Sequence, residues 1–95
     1  MITILLYTLG ADVTREQVMA VFPEHKAWLG QFVTEQKIMG MGNFSDPLKE
    51  GAMGLFPNME LAEEFAAKDP LVKSGIVEKV ELREWAGVFF TSIVR

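Results

Sequence analysis

The chain has 95 residues and a mass of 10.7 kDa, and 49% of its residues are hydrophobic, which predicts one folded domain over 1–95 rather than a disordered chain. Its net charge of −4 and the lack of a basic stripe argue against nucleic-acid binding. The chain has no cysteine, which excludes disulfides, thiolate catalysis, Fe–S clusters and cysteine zinc sites. It has a single histidine, which excludes any site that needs two imidazoles within one chain.

The N-terminal third predicts a strand followed by a long helix. Residues 2–9 are rich in Ile, Leu and Tyr and are apolar on both alternating faces, which predicts a strand covered on both sides. A helix is predicted over 14–35, because Thr14 is a good N-cap and apolar residues recur at spacings of three and four, on a stripe that includes His25. Pro23 interrupts this pattern and predicts a kink or a break.

The middle of the chain predicts two further strands. Residues 37–44 form the first of them, and its Gly40 and Gly42 share one face. Two glycines on one face predict that a helix or a ligand approaches closely there. Residues 45–51 predict a loop, and 52–57 predict the third strand.

The last third predicts a helix, a strand and an apolar tail. Asn58 can cap a helix over 59–68, which Pro70 ends because the residue before a proline avoids the α region. The alternation over 76–86 predicts a fourth strand. The tail over 87–95 is too apolar to remain in water, so we expect it to cover a sheet edge or to contact another subunit.

The order β-α-β-β-α-β predicts an α+β, ferredoxin-like fold with an antiparallel sheet. Two helices can cover only one face of such a sheet, yet the first strand is apolar on both faces. We therefore expect a homodimer, or a higher homo-oligomer, whose sheets pack face to face. The alternative is a monomer with a partly wet sheet.

Two polar residues are candidates for chemistry. His25 lies on the sheet-facing stripe of the first helix, where a buried imidazole needs a hydrogen-bond partner. Asp69 continues the apolar stripe of the second helix, and the two helices share one face of the sheet. The two side chains could therefore meet, and the carboxylate would fix the tautomer of the imidazole. The alternatives are a core histidine and a helix cap at Asp69-Pro70.

We further expect five residues to contact a small-molecule substrate, namely Tyr7, Gly42, Asn43, Phe44 and Ser45. The alternatives are a packed aromatic at Tyr7 and ordinary turn chemistry at Ser45. No metal-ligand spacing and no nucleotide-binding glycine pattern is present, so no metal and no cofactor are predicted.

The chain resembles the YciI-like family over about residues 2–86. The resemblance rests on His25-Lys-Ala-Trp-Leu, Met39-Gly-Met-Gly-Asn-Phe, Gly51-Ala-Met-Gly, Ala67-Lys-Asp-Pro-Leu, Gly75 and Arg83-Glu-Trp. It implies a dimeric α+β barrel and a His–Asp pair that corresponds to His25 and Asp69. A related branch contains chloromuconolactone dehalogenases, and muconolactone isomerases share the barrel. Gly42-Asn43 replaces the Gly-Pro of many relatives, and the tail extends beyond the usual family ending.

Two functions follow as hypotheses. The first is a cofactor-independent enzyme in which His25 moves a proton, in an isomerisation or an elimination on a small acidic or lactone-type metabolite. The second is a non-catalytic dimeric module that binds a small molecule or another protein. No apolar run approaches the roughly 18–20 residues that span a bilayer. No convincing signal peptide is present either, so we expect a cytoplasmic protein that does not bind membranes.

Overall fold

A computed structural model of the chain describes residues 1–90. Four strands form one antiparallel sheet in the order β2-β3-β1-β4, which is the ferredoxin-like arrangement that the sequence predicts. The elements in chain order are β1 (Ile2–Leu9), α1 (Arg15–Thr34), β2 (Gly40–Asn43), α2 (Pro47–Glu50), β3 (Ala52–Phe56), α3 (Met59–Lys68), α4 (Pro70–Lys73) and β4 (Val77–Trp85).

Local chemistry explains where the two long helices begin. The Thr14 hydroxyl accepts from the Gln17 backbone N–H, and the Gln17 side chain accepts from the Thr14 N–H, which together form a capping box at the start of α1. Asn58 caps α3 by accepting from the Leu61 N–H. The break predicted at Pro23 does not occur, because α1 continues through this exposed position, where water can take the place of the missing backbone hydrogen bond.

Two predictions for the middle of the chain are wrong in detail. The second strand is confined to Gly40–Asn43 rather than 37–44, and the predicted loop over 45–51 contains the short helix α2. Nothing within the described chain approaches Gly40 or Gly42, since a Cβ at either position would meet no atom within 4 Å. Both glycines lie on the face of the sheet that no helix covers, which is why the expected close neighbour is missing.

The close approach occurs instead at Gly51, the residue before β3. Gly51 has a φ of 79°, and a Cβ there would collide with the backbone carbonyl oxygen of Tyr7. Only glycine fits both the positive φ and this contact. Gly51 therefore lets β3 begin directly beside the end of β1 that carries Tyr7.

An aromatic cluster fills the space between the helices and the sheet. Phe32 of α1, Phe56 of β3 and Phe65 of α3 are fully buried, and their ring centroids lie 5.1–6.2 Å apart. Trp28 stacks on Phe65 and donates its indole N–H to the Phe65 carbonyl oxygen at 3.0 Å. These contacts hold α1 and α3 side by side on one face of the sheet.

The opposite face of the sheet carries apolar side chains but no helix. Ile2, Ile4 and Leu6 of β1 are half-buried there, whereas Leu5 and Tyr7 on the covered face are buried. In the tail, Val88–Phe90 are largely exposed, and the Phe89 ring packs against Trp85. The tail prediction also covers residues 91–95, which lie outside the described residues.

Candidate functional site

Asp69 lies at the junction of α3 and α4, where the chain turns sharply. It is the residue after α3 and the N-cap of α4, and Pro70 occupies the first position of that short helix. Its Oδ1 accepts a hydrogen bond from the Leu71 backbone N–H at 3.0 Å. This bond is the helix cap that Asp69-Pro70 predicts, and both carboxylate oxygens can still accept further hydrogen bonds. The side chain is completely buried.

His25 uses that capacity. Its Nδ1 lies 2.8 Å from Asp69 Oδ1 and 3.1 Å from Oδ2, across 44 residues of sequence. A carboxylate has only acceptors, so the hydrogen of this bond belongs to Nδ1. The imidazole is then the Nδ1–H tautomer, and Nε2 keeps a lone pair that can accept a proton.

Tyr7 supplies a third donor to the same carboxylate. Its hydroxyl donates to Asp69 Oδ2 at 2.8 Å, and the residue is only 3% exposed. Burial, and then the neighbouring negative charge of Asp69, raises the pKa of the Tyr7 phenol far above its usual value. The phenol therefore remains a hydrogen-bond donor throughout the physiological pH range.

These side chains lie beside a cavity of about 480 Å³, which opens between α1, α2 and the covered face of the sheet. His25 lines the cavity, but only 7% of its surface is exposed. Its Nε2 makes no hydrogen bond to residues 1–90 and keeps some accessible surface, and the residue to which it belongs lines the cavity. The walls are mostly apolar and are formed by Leu9, Val18, Met19, Phe22, Met41, Leu48, Leu71, Ile76 and Val77.

The predicted site residues are distributed unevenly around the cavity. Tyr7 and Asn43 line it, as does His25, whereas Asp69 lies buried behind the imidazole. Gly42, Phe44 and Ser45 are exposed neighbours of Asn43 on β2 and the following turn, and they lie outside the lining.

Two charged residues that line the cavity are not among the predicted site residues. Arg15 begins α1, and Asp46 is the N-cap of α2, where its side chain makes no capping hydrogen bond. Arg15 could have been found, because it lies three residues before Val18 and so extends the apolar stripe that leads to His25. No comparable pattern marks Asp46.

Residues 1–90 contain no group of three histidine, aspartate or glutamate side chains close enough to hold a metal ion. No helix in the described part of the chain is both long and apolar enough to cross a membrane. The cytoplasmic location stays a prediction.

Comparison with known proteins gives a family and a fold. The family model described as a YCII-related domain matches residues 1–86. Among solved structures, the chain is similar to 5-chloro-2-hydroxyhydroquinone dehydrochlorinase from Burkholderia phenoliruptrix AC1100, in complex with 2,5-dihydroxybenzoquinone. The TM-score is 0.71 at 16% identity, and the match covers 90% of this chain and 93% of that one, so the similarity is one of fold. No curated protein matches the chain in sequence.

Proposed function

The chain belongs to the YCII-related domain family, and from its site we propose that it is a cofactor-independent enzyme that moves a proton on a small acidic or lactone-type metabolite. One observation carries the proposal. His25 Nδ1 is held 2.8 Å from a buried carboxylate while its other ring nitrogen opens on a cavity. Such a pair orients the imidazole and stabilises the imidazolium that forms when Nε2 takes a proton.

In the proposed reaction, His25 Nε2 removes a proton from a carbon next to a carbonyl group. In an elimination, the electron pair of the broken C–H bond forms a double bond to the adjacent carbon, and a leaving group such as chloride departs with its bonding pair. A chlorinated hydroquinone would react through its keto tautomer: Nε2 takes the proton of the conjugated hydroxyl group, the freed electron pair forms a C=O bond, the ring double bond shifts, and chloride departs with its bonding pair. In an isomerisation, Nε2 returns the proton to a different carbon. Asp69 remains a carboxylate in both cases and balances the positive charge on the ring.

The cavity supports this class of substrate. Its apolar walls suit a small ring, and Arg15 adds a positive charge that would stabilise an anionic substrate or an enolate. The similarity in fold to a dehydrochlorinase supports elimination as one of the two reactions.

The direct test removes the proposed base. We expect His25→Ala to lower chloride release from 5-chloro-2-hydroxyhydroquinone, or isomerisation of muconolactone, by roughly 10²–10⁴-fold. Lys26→Ala is the matched control, because Lys26 is the exposed neighbour of His25 on α1. If His25→Ala retains the wild-type turnover, the proposal is wrong. A ligand that raises the melting temperature but is chemically unchanged after long incubation would favour the binding module instead.

We also propose that the chain assembles as a homodimer through the uncovered face of the sheet. Ile4 lies near the centre of that face, paired with Leu55 of β3, and both are half-buried within one chain. Ile4→Lys is expected to shift the mass in light scattering from about twice 10.7 kDa to the monomer value. Lys73→Glu on the exposed surface of α4 is the control. A wild-type chain of about 10.7 kDa at micromolar concentration would contradict the dimer.

A further inference from the structure

We propose that the Tyr7 hydroxyl is a positioning group for the His–Asp pair, acting through Asp69 rather than on the substrate. This inference rests on the proposed function, because it assigns a role within the same site. It concerns the hydroxyl alone, since the ring of Tyr7 also lines the cavity.

The hydrogen bonds of Asp69 carry the argument. Each carboxylate oxygen has one donor other than the imidazole: the Leu71 N–H holds Oδ1 at 3.0 Å, and the Tyr7 hydroxyl holds Oδ2 at 2.8 Å. Two fixed oxygens define the plane of the carboxylate and prevent rotation about its terminal torsion. Both oxygens can then face His25 Nδ1, at 2.8 and 3.1 Å.

The Tyr7 hydroxyl has no hydrogen left to donate to a ligand. A phenol has one hydrogen to donate, and that hydrogen is committed to Oδ2. The residue is 3% exposed, and the raised pKa of the phenol keeps it protonated. A substrate could contact the ring of Tyr7 while its hydroxyl stays bonded to Asp69.

Removing the hydroxyl leaves only the Leu71 N–H to hold the carboxylate, which could then pivot about that single bond. The bond to His25 Nδ1 would weaken, and the imidazole would be free to populate the Nε2–H tautomer, which has no lone pair facing the cavity. Small errors in the placement of a catalytic group cost rate rather than affinity. The positioning role therefore predicts a loss in kcat at unchanged KM.

The test compares Tyr7→Phe with Thr3→Val. Thr3 lies on the same strand and the same covered face, is fully buried, and its hydroxyl has no hydrogen-bond partner among residues 1–90. Because the chain has a single histidine, the ¹⁵N shifts of its imidazole report the tautomer of His25 without overlap. We expect Tyr7→Phe to shift the tautomer equilibrium about tenfold toward Nε2–H, and Thr3→Val to leave it unchanged. An unchanged tautomer in folded Tyr7→Phe would overturn the proposal.

Ligand binding separates positioning from substrate contact. With 2,5-dihydroxybenzoquinone as the probe, a positioning role predicts the same Kd for wild type and Tyr7→Phe. In chloride release from 5-chloro-2-hydroxyhydroquinone, it predicts a kcat about tenfold lower at unchanged KM. A weaker Kd, or a raised KM at unchanged kcat, would assign the hydroxyl to the substrate and refute the proposal.

The role of the Tyr7 hydroxyl can be tested without turnover and without a folded variant. If the protein acts on neither probe, the proposed function loses support while the tautomer measurement still decides the role of Tyr7. If Tyr7→Phe does not fold, the wild-type chain decides it. A hydroxyl held by buried Asp69 gives a slowly exchanging downfield proton resonance with a cross-peak to the His25 Nδ1–H, and a missing resonance would refute the proposal.

Discussion

Alkaline pH is expected to destabilise the fold through Tyr7. In the unfolded chain a tyrosine loses its proton near pH 10, its reference pKa of about 10. In the folded chain the raised pKa keeps the phenol protonated. The unfolded state therefore binds fewer protons than the folded state above the unfolded pKa, and the free energy of unfolding falls as the pH rises. This contribution to stability is complete below that pH and is lost progressively above it.

The expected magnitude follows from the two states. A phenol that ionises only on unfolding lowers the free energy of unfolding by about 1.4 kcal/mol at pH 11 and by about 2 kcal/mol at pH 11.5. Tyr7→Phe has no such loss, but it lacks the hydrogen bond to a buried carboxylate, which is worth about 2 kcal/mol at neutral pH. The two stability curves should therefore converge and meet near a pH of about 11.5.

The assay is urea unfolding followed by tryptophan fluorescence, at neutral pH and at several pH values above 10. Lysines titrate in the same range, but they are common to both proteins and cancel in the difference. Thr3→Val should run parallel to wild type across the series. Because the chain has one tyrosine, the tyrosinate absorbance band also reports Tyr7 alone. A constant difference between wild type and Tyr7→Phe would contradict this prediction, and so would tyrosinate absorbance near pH 10 in the folded chain.

Three other substitutions test the same structure. Asp69→Asn replaces an acceptor that holds three donors, so it should cost about 3 kcal/mol of unfolding free energy and reduce turnover by roughly 10²–10⁴-fold; wild-type values of both would contradict the site. Gly51→Ala should destabilise the fold by about 2 kcal/mol or more, because the new Cβ would collide with the Tyr7 carbonyl oxygen. Gly30→Ala on the exposed side of α1 should instead stabilise the fold by about 0.5–1 kcal/mol. Thermal unfolding should therefore show a lower melting temperature for the first variant and a higher one for the second. Thr3→Val removes a buried hydroxyl that has no hydrogen-bond partner among residues 1–90, so urea unfolding should give a free energy of unfolding about 1 kcal/mol higher than that of wild type, and a clearly lower value would contradict this expectation.

Much of the fold was predictable because its signals are local. The bounds of β1 agree with the apolar segment over 2–9, and α3 begins and ends where Asn58 and Pro70 predict. Capping, proline geometry and hydrophobic period act within a few residues, so they can be read from a short window of sequence. The prediction over 37–44 is less accurate, since the length of β2 depends on how much of β3 is available to pair with it.

From the sequence alone we could predict the order of the four strands and the two long helices, the N-caps of those helices, and the stripes that carry His25 and Asp69, but not the short helix α2. It could predict that these two side chains meet, because both stripes face one sheet. The bond from the Tyr7 hydroxyl to Asp69 and the position of Arg15 in the cavity wall become visible only in the folded chain. Distance along the chain explains this difference. The Tyr7 bond to Asp69 spans 62 residues, so it depends on how the aromatic cluster packs the α3–α4 junction against β1. No local sequence pattern encodes that packing.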